Sequence, residues 1–147
     1  MRTIKLLEGI VDIYMPDMKY SNAQNADRYS NAPDYFDRCR EAVKEMHRQV
    51  GDLQLDSRGI AQRGLLIRHL ILPNDLAGSQ EVLRFIAEEI SKDSYVNIMF
   101  QYRPMFRAKE YEELNRRPTM DEYRKSIDMA QNLGLHRGFE ISNPKHQ

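Results

Sequence analysis

One stretch constrains this chain more than any other. Residues 64–73, Gly64-Leu65-Leu66-Ile67-Arg68-His69-Leu70-Ile71-Leu72-Pro73, are apolar almost without a break. A run of this length, β-branched in part and closed by proline, reads as a strand buried on both faces, the habit of parallel sheets. Arg68 and His69 are the interruptions. An unpaired guanidinium among Leu66, Leu70 and Leu72 is costly to bury, so Arg68 requires an anionic partner, from a neighbouring strand or a ligand. His69 points to the opposite face, where a hydrogen-bonded packing role is expected.

Two further segments have the same design. Residues 9–20 are rich in β-formers and end in the polar tip Pro16-Asp17-Met18-Lys19. Residues 95–104 run apolar and then turn polar at Gln101, Tyr102 and Arg103 before Pro104. Helical signals follow each strand. Pro33 and Asp34 open a helix whose Phe36, Cys39, Val43, Met46 and Val50 form one stripe, and Gly51 ends it. Ser79 caps a second helix through Ile90, and Thr119 with Glu122 forms a capping box for a third. Ile4, Leu6 and Leu7 read as the tail of a helix, and Phe139 to Ser142 as a brief last strand. Leu53, Leu55, Ile60 and Ala61 around Asp56-Ser57-Arg58-Gly59 read as a small hairpin inserted between the first helix and the second strand.

Three strand-helix units with short connections predict right-handed crossovers and a parallel sheet, either flat and doubly wound or part of a barrel. The 147 residues fit a single domain. In either architecture ligands bind at the C-terminal ends of the strands, where the unusual polar residues cluster. Asp17 and Lys19, two apart, share a strand face and suit a ligand carrying both amine and carboxylate; a solvated ion pair is the plainer reading. Gln101 and Arg103 share a face of the third strand end, as hydrogen-bond donors to a ligand or as a strand exit.

Several functions are disfavoured. Lysine plus arginine and aspartate plus glutamate balance at 22 each, so no global field recruits nucleic acid, despite the local basic run at Arg116 and Arg117. No apolar run approaches a membrane span and no signal peptide is evident, which predicts a cytoplasmic protein. His47, His136 and His146 show no metal-ligand spacing, and Cys39 is the single cysteine, so no metal site is expected within the chain.

Taken together, GIVDIYMPDMKY at 9–20, RGLLIRHLILP at 63–73, VNIMFQYRP at 96–104 and YEELNRR at 111–117 resemble radical S-adenosylmethionine (SAM) proteins related to pyruvate formate-lyase activating enzyme. The resemblance covers nearly the whole chain and implies the C-terminal half of a (β/α)6 barrel, a partial barrel of about three parallel strand-helix units over residues 1–147. It implies that Asp17 and Lys19 correspond to an Asp-x-Lys at the fourth strand, that Arg68 lies beside the SAM site, and that Gln101, Tyr102 and Arg103 approach the SAM ribose. The cofactors implied are SAM and a 4Fe-4S cluster; the three-cysteine motif that holds the cluster is absent here. Half a barrel also leaves strand edges exposed, predicting a homodimer or pairing with the missing N-terminal half, with a glycyl-radical enzyme or protein substrate as a further partner.

Overall fold

The computed structural model describes residues 2–139; the final strand expected at Phe139 to Ser142 lies almost wholly outside them. In chain order the elements are α1 (Arg2–Lys5), β1 (Ile13–Tyr14), α2 (Ala23–Ser30), α3 (Tyr35–Val50), β2 (Gln54–Leu55), β3 (Ala61–Leu70), α4 (Ser79–Phe85), β4 (Tyr95–Met99) and α5 (Met120–Asn132). A π-helical turn, Ile86–Ile90, continues α4, and 3₁₀ turns occupy Pro73–Asp75, Phe106–Glu110 and Glu112–Leu114.

The long apolar run forms β3, the centre of a four-stranded sheet. Its neighbours β1 and β4 are parallel to it, with Ile13 opposite Gly64 and Arg68 opposite Asn97. The hairpin forms as expected around Asp56, whose carboxylate accepts from the backbone N–H of Arg58 and Ile60 at 2.9 Å each. The inserted hairpin does not stand apart from the sheet, however. β2 pairs antiparallel with the start of β3, Gln54 opposite Arg63, and so extends the main sheet. Gly64 sits at this junction with φ of 118°, where a Cβ would lie 2.4 Å from the Asp52 carbonyl oxygen, so only glycine lets the strands approach.

The expected partial (β/α) barrel of parallel units is therefore overturned. The sheet is mixed, β1 is two residues long, and the strands are covered on one face only. On that face Leu65, Ile67, Val96 and Ile98 pack with Val43 and Val50 of α3, Val82 and Leu83 of α4, and Ile127 and Ala130 of α5. Burying a side chain such as Ile67, rather than leaving it in water, contributes about 1.5–3 kcal/mol. The opposite face alternates with it residue by residue. Leu66, Arg68, Leu70, Tyr95, Asn97 and Met99 are half-buried, and Met15 stays 55% exposed. β3 is thus not enclosed on both faces, and Leu72 leaves the Leu66–Leu70 face for a second small cluster with Ala77 and Leu114.

The helices follow their local signals with two exceptions. Thr119 and Glu122 make the reciprocal capping box that opens α5. Residues 23–30, polar throughout but for Ala23, Ala26 and Tyr29, nevertheless form α2, capped by the Asn22 side chain and closed by Asn31 in the left-handed conformation. Ser79 begins α4 but does not cap it; its N–H is accepted by the Asp75 carboxylate at 2.9 Å, and its hydroxyl meets His69.

Candidate functional site

Arg68 is held by backbone pairing on both sides, opposite Asp17 on one and Asn97 on the other. Its N–H donates to the Pro16 carbonyl and its own carbonyl accepts from the Met18 N–H, both at 2.9 Å. This double anchoring fixes where the side chain starts. Its Nε donates to Asp17 Oδ1 at 2.6 Å, and Lys19 Nζ lies 3.5 Å from Asp17 Oδ2. Two cations thus flank one carboxylate on the uncovered face. With Arg68 at 36% and Asp17 at 27% side-chain exposure, the pair contributes about 0–1 kcal/mol to stability, so its main effect is orientation. Among the described residues, Nη1 and Nη2 of Arg68 take no hydrogen bond.

Tyr35, near the start of α3, braces this cluster from the covered side. Its hydroxyl donates to the Asp17 carbonyl at 2.9 Å and accepts from the Lys19 N–H at 3.0 Å. Burial pushes its phenol well above the ordinary range. Cys39, one turn further along α3, places Sγ 3.6 Å from the same carbonyl, and burial raises its thiol too. The thiol therefore stays protonated, the form that is neither nucleophile nor metal ligand.

The remaining expected residues separate from this cluster. Gln101 and Arg103 lie beyond β4, exposed, and line a cavity of about 510 Å³ with Phe100, Tyr102 and Arg117. Gln101 donates to Met99 Sδ at 3.4 Å. Tyr102 turns away and donates to the Leu114 carbonyl at 2.9 Å, within the small cluster of Leu72 and Ala77. The structure thus brings Asp17, Lys19 and Arg68 together and leaves Gln101, Tyr102 and Arg103 as a separate group.

The donor set fits one of the two implied cofactors and not the other. Arg68's spare guanidinium nitrogens suit a carboxylate and Asp17 suits an ammonium, the two ends of an amino-acid group such as that of SAM. Among the described residues no group of three His, Cys, Asp or Glu side chains is placed to hold a metal. With Cys39 alone, the chain has no three thiolates for the cluster.

No family model and no solved structure matches this chain. It is similar to an uncharacterized protein of Methanocaldococcus jannaschii, 35% identical over 131 residues. The similarity covers 88% of this chain and 34% of that protein, so the chain spans about a third of the length of the curated relative it matches. Among the described residues no helix is long and apolar enough to cross a membrane.

Two features were not anticipated from the sequence. Tyr35 carries no motif of its own; only its position after Pro33 and Asp34, at the mouth of a helix facing the strand tip, could have pointed to it. The basic run ends in an internal latch. Arg116 grips Glu122 through two nitrogens at 2.7 and 2.8 Å and donates to Asn74 Oδ1 at 2.6 Å. Arg116 is the chief reason the Glu122 carboxyl falls to about 2. His69 is as expected: it is fully buried, with Nδ1 2.7 Å from the Met18 carbonyl and Nε2 2.9 Å from Ser79 Oγ.

Proposed function

We propose that this chain is a cytoplasmic part of a radical SAM enzyme related to pyruvate formate-lyase activating enzyme, and that its open sheet face forms a wall of the SAM and substrate site. The observation that carries this reading is the Asp17–Arg68 pair, with Lys19 beside it, on an apolar face without a helical cover. Arg68 holds the carboxylate of the ligand and Asp17 its ammonium, while Lys19 stays beside the other Asp17 oxygen. SAM, when bound beside a reduced cluster, supplies a carbon radical; the residues here bind and orient, and the cluster's ligands come from outside this chain.

Isothermal calorimetry with SAM tests the reading directly. Wild type is expected to bind, and Arg68→Met and Asp17→Asn each to weaken binding about tenfold or more, the loss of one charge-assisted contact. No heat of binding at about 1 mM SAM from a folded protein overturns it.

A second reading rests on the same face. Ile13 and Met15 are exposed there, and Leu66, Leu70 and Met99 half-buried, which suits a self-associating or partner-binding module: a homodimer, a contact with the enzyme's other half, or docking of a glycyl-radical enzyme or other protein substrate. Light scattering coupled to size-exclusion chromatography tests the first of these, since a monomer at every concentration rules out self-association.

A further inference from the structure

A second cavity, of about 740 Å³, lies beyond the C-terminal ends of all three parallel strands. Tyr20 reaches it from the segment after β1, Leu72 from the end of β3 and Tyr102 from the end of β4. Its volume is that of a small-molecule site.

The walls are aromatic and held fixed. Tyr29 and Tyr111 meet edge to face with centroids 5.1 Å apart and planes at 89°. Each hydroxyl is tied down: Tyr29 donates to Glu113 at 2.8 Å, Tyr111 to the Arg28 carbonyl at 3.2 Å, and Tyr102 to the Leu114 carbonyl. These rings are therefore set before any ligand arrives, which lowers the entropy cost of binding. Phe106 contrasts with them. It stands at the rim 90% exposed, with a backbone φ of 50° that residues other than glycine rarely adopt. An exposed aromatic ring at the rim of a cavity is available to pack against a ligand.

The charges around the cavity say which ligand. Arg28 is paired with Glu113 and lies 5.5 and 5.6 Å from the Tyr29 and Tyr111 ring centroids, and Arg107 is paired with Glu110, so both cations already have a carboxylate partner. Asp27 also lines the cavity, and its carboxylate has no partner among the described residues. An aromatic box with one unpaired carboxylate suits a ring that donates a hydrogen bond.

We propose that this cavity binds the planar aromatic ring of a small molecule bearing an N–H donor, sandwiched between the tyrosine wall and Phe106, with Asp27 accepting from the N–H. The site is separate from the Asp17–Arg68 cluster and does not depend on SAM binding there.

Because the chain contains no tryptophan, the fluorescence of indole, excited beyond the tyrosine absorption, reports the ligand alone. Titration of indole with wild-type protein is expected to saturate with a blue shift. Phe106→Ala is expected to weaken binding about tenfold or more, the loss of one stacking contact, and Asp27→Asn to weaken it as well. Phe106 is exposed, so its replacement leaves the unfolding midpoint in place and separates binding from folding. Displacement of indole by adenosine assigns a nucleobase as the source of the ring, and failure to displace assigns an indole-like ring; either sustains the site. Overturning results are no saturation at about 1 mM indole, affinity unchanged in Phe106→Ala, or loss of indole binding in folded Arg68→Met. Absence of SAM binding by the folded wild-type protein, with its indole binding intact, defeats only the SAM reading.

Discussion

Along β3 the side chains of Leu65, Ile67 and His69 are buried while those of Leu66, Arg68 and Leu70 are half open, although the two sets alternate in one strand. The covered face is packed by α3, α4 and α5 and tolerates one polar group, His69, whose two ring nitrogens are both paired. The open face carries Arg68 with only its Nε hydrogen-bonded. Complete pairing is what burial demands, and spare donors are what a half-open face permits. That difference separates a residue that holds the fold from one available to a ligand.

The sharpest way to break the comparison is to truncate one side chain on each face. Ile67→Ala is expected to destabilise by about 2–5 kcal/mol through the cavity it leaves. Leu66→Ala, next in sequence, should cost under about 1.5 kcal/mol because solvent already reaches it. Denaturant unfolding of the two variants measures the ratio, and equal losses would mean that the open face is packed after all.

An intermediate effect comes from pH. Burial holds the His69 imidazole below its ordinary range, so folded protein resists a proton that the unfolded chain accepts. Stability is therefore full above about pH 6.5 and falls as the pH drops below it toward the depressed folded value. Glu122, whose folded value near 2 lies below the unfolded one, loses its contribution only at more acid pH, between roughly 4.3 and 2. Unfolding midpoints across this range should show the first slope, and His69→Gln, which keeps a donor and an acceptor, should remove most of it. A slope unchanged in that variant would assign it to another histidine.

The smallest expected effect is at the open face itself. Arg68→Met should change stability by no more than about 1 kcal/mol, the ordinary worth of a partly exposed ion pair. A loss of several kcal/mol in urea unfolding would show that the pair supports the fold and would weaken its assignment to a ligand.

Much of the local structure was legible. Pro33 with Asp34 and then Gly51 bracket α3, Thr119 with Glu122 announces α5, and the apolar runs mark β3 and β4. Of the candidate site, the pairing of Arg68 with Asp17 was legible because a charge in an otherwise apolar strand demands a partner. Residues 23–30 were not, since α2 rests on its Asn22 and Asn31 caps and on the burial of Ala26 rather than on an apolar stripe. The hairpin was visible at Asp56 and Gly59, yet nothing local says whether its strand joins the main sheet.

The sequence by itself determined where this chain turns, where it is apolar, and which charges sit where they require a partner, because these follow from side-chain chemistry and short-range spacing. Only the tertiary structure decided that the sheet is mixed, that the helices gather on one face, and that four tyrosines distant in sequence line one cavity. Those outcomes depend on which edges pair and which faces pack, and a two-residue alternation is the same whether its second face meets helices, water or a partner.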